Sequence, residues 1–345
     1  MSKSFFELGR CERTGRSTFI DPSERPFLSI GLNHADESNL HYPDNQVIWQ
    51  RKYGSRARWI KEGVVKDLGA FGFNTLGWTQ EYVAGDWGEA LDWQGDPIDL
   101  IHSQQPWTAE ELQSAGIPYV VQLRVMPIED WNGEPVFQDV FSEKFEKWCE
   151  YLARSMCTPH RESRNLLGYY FVDIPAWIRH ASRRDFPQLA SLGKEEREIE
   201  VEMVAEKYYQ TITQAIKMYD PNHLILGDRY NGNKGIPRGV LRAMSRHVDV
   251  LSVQYFVPEP TDSARQKMRD DLAKWSAESG GKPVLLADIG NYCATKENPH
   301  RKSAIDGQRG RGEDYVETLK LLVNEPWFVG WHWCSYIENL ARGWG

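Results

Sequence analysis

The chain of 345 residues is poor in the patterns that mark several large protein classes. Its five cysteines, at 11, 149, 157, 293 and 334, include no CxxC pair, so neither a zinc spacing nor a complete disulfide framework is suggested. Cys149 and Cys157 fall within one helical pattern and read as packed thiols. None of the nine histidines stands in an HxH or HExxH arrangement, which leaves a metal-dependent hydrolase without its usual ligands. No GxGxxG follows an apolar run and no GxxxxGK[ST] occurs, so neither a nucleotide nor another cofactor is expected. No stretch approaches the ~18 apolar residues of a membrane span, and the N-terminus, MSKSFFELGRCERTGR, lacks the apolar centre of a secretory signal. No membrane partner is therefore expected; the cytoplasm is the default location, although a removed leader would leave no trace. Internal repeats, low-complexity tracts and Pro/Gly-rich linkers are also missing, so residues 1–345 read as one domain.

Basic residues are in deficit, with 41 Lys and Arg against 49 Asp and Glu and a net charge of -8. A nucleic-acid partner would call for the opposite sign. What the chain does have is aromatic rings, 14 Trp, 15 Tyr and 13 Phe. Many belong in a core, but Trp also suits surfaces where an apolar face meets something partly polar, and the C–H faces of sugar rings are of that kind.

Eight short apolar runs alternate with amphipathic stretches: Phe27–Asn33, Phe73–Trp78, Pro118–Arg124, Leu167–Asp173, His223–Arg229, Val248–Tyr255, Pro283–Asp288 and Phe328–Cys334. Near-continuous apolar runs separated by helices are the mark of parallel strands buried on both faces, and eight is the number that closes a (β/α)8 TIM barrel, an α/β fold. Helices are expected at 56–71, at 142–157 from Ser142, at 200–219, at 262–279 and at 312–324, from apolar residues recurring at three and four. Residues 1–26 contain the two runs FFELGR and RSTFIDP, a hairpin expected to close the barrel floor. After the eighth run only Ser335–Gly345 remain, so the eighth helix looks missing or truncated; the 35–60 region or a second copy of the chain in a homo-oligomer is expected to cover that face.

In such barrels functional groups gather where the strands end. Those ends carry Asn33 and His34, Trp78 with Glu81, Gln122 and Arg124, Asp173, Asp228-Arg229, Gln254-Tyr255, Asp288, and Trp331-His332-Trp333, with Glu338 beyond. Carboxylates, amides and aromatic rings without metal ligands make a set suited to glycoside hydrolysis, in which one acid protonates the leaving oxygen and one carboxylate attacks or activates water. The Gly/Arg-rich run Gly307–Gly312, GQRGRG, is expected to order a rim loop.

Six stretches carry a resemblance: FLSIGLNHADESNLHYPDN, WIKEGVVKDLGAFGFNTLGWTQEY, GYYFVDIPAW, DVLSVQYF, KPVLLADIGNY and FVGWHWCSYIENLARGWG. The chain resembles glycoside hydrolase family 50, the β-agarase-like barrels of clan A. The resemblance implies a retaining hydrolase with its acid/base after strand 4 and its nucleophile ending strand 7. The nucleophile then corresponds to Asp288, an aspartate where the family has glutamate. The family's Asp-Asn-Glu corresponds to Asp173-Ile174-Pro175, so a proline, which cannot transfer a proton, stands at the acid/base position. Asp173, one layer deeper, is the first candidate to replace the acid; Asp228 is the second, with Glu81 and Glu338 behind it. Two aspartates also widen the gap between the carboxyls, which keeps an inverting, water-assisted course open. Asn33, His34, Gln122 and Arg124 are expected to hold sugar hydroxyls, and Arg124 with Arg229 could form a basic pocket. Tyr255 resembles the residue that hydrogen-bonds near the nucleophile, Trp333 the floor of the cleavage subsite, and Trp78 and Trp177 stacking platforms. The expected function is hydrolysis of a galactan- or glucan-type carbohydrate; a lapsed barrel that only binds carbohydrate is the alternative, and exo attack on a small glycoside is a third.

Overall fold

A computed structural model describes residues 5–35, 37, 40, 43–78, 107–130, 135–178, 184–296 and 298–337. Three strands, β1 (Glu7–Arg10), β2 (Ser17–Ile20) and β3 (Pro26–Phe27), form a small antiparallel sheet, so the expected hairpin carries a third strand. Phe6 and Phe19 pack with Leu167, Leu226, Val250, Leu285 and Val329, apolar side chains from the early part of the barrel strands or, for Val250, just before one.

The barrel is closed by eight parallel strands: β4 (Ser29–Leu32), β5 (Thr75–Leu76), β6 (Tyr119–Gln122), β7 (Leu166–Asp173), β8 (Leu224–Asn231), β9 (Leu251–Gln254), β10 (Val284–Ile289) and β11 (Phe328–Trp333). β11 pairs with β4 to complete the ring. Each strand lies within one of the expected apolar runs or overlaps it, because burial on both faces demands continuous hydrophobicity.

Two glycines decide which side chains face inward. Gly227 has φ 70 and interrupts the β7–β8 register, so Leu226 faces the inner cluster, Asp228 the outer layer and Arg229 the interior again. Gly330 has φ 149, and a Cβ there would lie 2.1 Å from the Ser29 carbonyl oxygen. Only glycine fits both the dihedral and the approach. Beyond it Trp331 and Trp333 turn out towards Tyr315, and His332 turns in.

The outer helices fall where the apolar spacing puts them, with shifted ends. Ser142 caps Glu143–Cys157 by accepting the Phe145 amide at 3.2 Å. Lys194–Tyr219 starts earlier than expected because the Glu196 carboxylate accepts the Gly193 amide at 3.0 Å. Residues 56–71 are helical through a π-helical segment, Trp59–Val64. GQRGRG is not a rim loop; it forms the start of the helix Gly307–Lys320, which is held where Arg265 and Asn291 reach Asp314 at 2.7 and 2.8 Å. Tertiary contacts override the low helix propensity of its glycines. Tyr315 of that helix covers part of the outer face of β11. Among the described residues, no helix is long and apolar enough to cross a membrane.

Candidate active site

The C-terminal mouth of the barrel is organised around one buried guanidinium. Arg229 donates from Nη1 to Asp173 Oδ1 at 2.7 Å, while its Nη2 lies 3.2 Å from Asp288 Oδ2 and donates to the Ala287 carbonyl at 3.2 Å. Gln254 also donates to Asp173 Oδ1. Asn33 donates to Asp288 Oδ1 at 2.7 Å and accepts the Trp78 amide on its own Oδ1 at 2.9 Å. The Trp78 ring lies 4.6 Å from the guanidinium, and the His34 ring meets it edge-on at 4.4 Å. His34 Nε2 is 4.0 Å from Asp288 Oδ2. Arg229 is sealed from solvent, whereas the Asp173 and Asp288 side chains keep 8% and 5% exposure, so the two acids form the solvent side of the triad.

One cation cannot neutralise two carboxylates. Burial pushes Asp288 up to about 7; Arg229 and the Asn33 amide oppose that shift, and the Asp173 charge adds to it. Beneath the triad His332 bonds the Ser29 hydroxyl at 2.9 Å; burial, reinforced by Arg229, pushes its pKa down to about 3, so it is neutral. His34, Asp288 and Cys334 bring their ligand atoms within 4.8 Å of one another, but the same carboxylate already faces the Arg229 cation.

The backbone around this mouth is strained. His34, Arg124 and Ile174, each within two residues of a strand end, have φ of 52, 45 and 35. Positive φ at a β-branched residue is a true outlier. Asparagine, which the family resemblance puts at this place, tolerates that conformation; isoleucine does not.

The structure brings Asp288, Asp173, Arg229, Asn33, His34 and Trp78 together, with His332 below them and Gln122 buried on β6. Five expectations are corrected. Asp228 faces the outer layer, where it accepts from Tyr208, Tyr209 and Trp177 at 3.1, 2.6 and 3.0 Å; it is neither the Arg229 partner nor an acid in the mouth, because the Gly227 bulge inverts the alternation. Burial pushes its pKa up to about 6, against those same donors. Trp177 is 1% exposed and stacks on Phe186 at 5.0 Å, so it is core and not a platform. Arg124 is buried and forked onto Glu129 at 2.7 and 3.1 Å, which rules out a shared pocket with Arg229. Tyr255 bonds Asp271 at 2.8 Å on the outer side, and Gln254 takes the inward place. Trp331 and Trp333 both pack on Tyr315, so neither floors a subsite; Cys334, next in the alternation, lies against Asp288. Glu81 and Glu338 lie outside the described residues. Gln254 and Cys334 were legible only through strict alternation from Val250 and His332.

These features define a closed (β/α)8 barrel with two carboxylates at its C-terminal mouth. No protein-family model matches the chain. It is 22% identical over 175 residues to beta-agarase B of Vibrio sp. (strain JT0107), covering 50% of this chain and 17% of that one. To beta-agarase A of the same strain it is 28% identical over 141 residues, covering 40% and 14%. The crystal structure of an agarase, AgWH50C, superposes with a TM-score of 0.70 at 18% identity, covering 100% of this chain and 59% of that one. The matches therefore span at most 17% of the curated relatives' length.

Proposed function

We propose that the chain hydrolyses a glycosidic bond in an agar-type galactan at the C-terminal mouth of the barrel. The observation that carries this reading is the pair Asp288 and Asp173, set on two nitrogens of one guanidinium beneath the mouth and fixed by Asn33 and Gln254. Positioned carboxylates of this kind, held by donors whose geometry does not change during reaction, are what glycoside hydrolysis requires. In this reading Asp288 attacks the anomeric carbon or activates water, Asp173 is its partner carboxylate, and Asn33, His34 and Trp78 hold the sugar. Relatives named as agarases support the substrate class.

A second reading has its own support: Pro175 stands where the resemblance expects an acid, and Arg229 engages both carboxylates, as in a barrel that only binds carbohydrate. Turnover of agar oligosaccharides, followed by reducing ends, separates the two. Under the hydrolase reading the wild-type protein cleaves them and Asp288→Asn binds them without cleavage. Binding by the wild type with no cleavage across a wide panel of glycans establishes the lapsed barrel instead. Anomeric NMR of the first product then distinguishes retention from the inverting course.

A further inference from the structure

We propose that His223 carries a buried positive charge, and that this charge is a base-released latch fastening the loop before β7 to the loop before β8 at the barrel floor. Both ring nitrogens face acceptors. Nδ1 lies 2.7 Å from Asp220 Oδ2, and Nε2 lies 2.7 Å from the Ser163 carbonyl oxygen, which has no hydrogen to give. Asp220 accepts throughout: the Tyr169 hydroxyl donates to Oδ2 at 2.6 Å, and the Asn222 and His223 amides donate to Oδ1 at 2.9 and 3.2 Å. Burial opposes the Asp220 charge, but the bonds from His223 and Tyr169 outweigh it and hold the pKa below the ordinary 3.8. A neutral ring would set a bare lone pair against an oxygen at one of its two contacts. Both nitrogens therefore carry hydrogen, and the pair is sealed, with both side chains 0% exposed.

The groups around the ring fit one cation there. His160 shares a hydrogen bond with the Tyr119 hydroxyl at 2.9 Å; burial, reinforced by His223, pushes its pKa down to about 4 against Asp220, so it is neutral. Burial pushes the Tyr169 hydroxyl and the Cys157 thiol up, so both keep their protons. Lys217 turns to the His223 carbonyl, which it reaches at 2.8 Å, and the Phe5 ring meets the imidazole edge-on at 4.8 Å. The ring spans two loops: Ser163 stands between the helix Glu143–Cys157 and β7, and Asp220 and His223 stand between Lys194–Tyr219 and β8. Beside it the Asn222 side chain donates to the Arg161 carbonyl at 3.0 Å, and the Asn165 carbonyl accepts the Tyr119 amide at 2.9 Å where β6 meets β7. Hydrogen bonds from a charged donor are of the stronger kind. Acid opens the latch only by protonating Asp220, below 3.8; base opens it by taking one ring proton, which turns a lone pair onto an oxygen. Its stabilisation is lost as pH falls through the first titration and as pH rises through the second.

A neutron crystal structure of the wild-type protein at neutral pH locates the hydrogens directly. Hydrogen on both ring nitrogens of His223 and none on Asp220 is the expected result; a bare ring nitrogen, or a hydrogen on Asp220, overturns the charge. The latch is read by amide hydrogen exchange from neutral to alkaline pH, corrected for the intrinsic base-catalysed rate. Protection of the amides of 161–165 should fall as pH rises in the wild type, while β10 stays protected, and should be low at every pH in His223→Gln. Protection there that does not change with pH overturns the latch, as does equal protection in the wild type and folded His223→Gln. Where that variant does not fold, the wild-type series alone decides.

Discussion

Asp288 holds its proton up to about pH 7 because burial opposes its charge and Asp173 stands beside the same guanidinium. The folded chain thus binds a proton that the unfolded chain has released, over the window from 3.8 to about 7. Stability falls as pH rises through that window and stays lower above it. At 1.36 kcal/mol per pH unit the full cost is about 4 kcal/mol. Asp288→Asn removes the titration and leaves Arg229 paired with Asp173 alone, a neutral arrangement. The lost contact to Arg229 takes back about 1–2 kcal/mol. The variant should then be the more stable by about 2–3 kcal/mol at pH 8 and the less stable by about 1–2 kcal/mol at pH 4. With an unfolding entropy of about 2.1 cal/mol/K per residue over 345 residues, the gain at pH 8 is a rise of about 3–4 °C in melting temperature. Melts of both proteins between pH 4 and 9 measure it. A difference that does not change with pH, or a wild type more stable at pH 8, refutes the reasoning.

Other substitutions probe the same arrangement. Arg229→Met leaves two carboxylates facing one another in the interior and should cost about 3–5 kcal/mol in urea unfolding. Gly330→Ala drives a Cβ onto the Ser29 carbonyl where β11 meets β4 and should cost at least about 2 kcal/mol by the same measurement. Trp177→Ala should destabilise by about 3–5 kcal/mol while leaving the oligosaccharide Kd of the folded protein unchanged, whereas Trp78→Ala should weaken binding by calorimetry.

The barrel was legible because eight apolar runs and their intervening helical stripes encode it residue by residue. The mouth was legible in part. Asn33, Asp173 and Asp288 follow from strand ends alone, but inward and outward faces depend on phase, and phase is reset at Gly227 and Gly330. An isolated glycine in a strand is itself a bulge signal, and reading "LGDRY" and "FVGWHW" that way places Asp228, Trp331 and Trp333 outside. Tyr255 needed no bulge, since alternation from Val250 already turns Gln254 inward. Trp177 and Arg124 are different: their places depend on partners further along the chain, Phe186 and Tyr208, or on a loop return, Glu129, that periodicity does not encode.

The most direct measurement is a crystal structure of Asp288→Asn with an agar oligosaccharide bound. It should show a glycosidic oxygen at the barrel mouth, with its anomeric carbon over residue 288 and Trp78 against the sugar. An oligosaccharide seated elsewhere on the chain, with Arg229 and Asp173 still sealed beneath an empty mouth, would contradict the account.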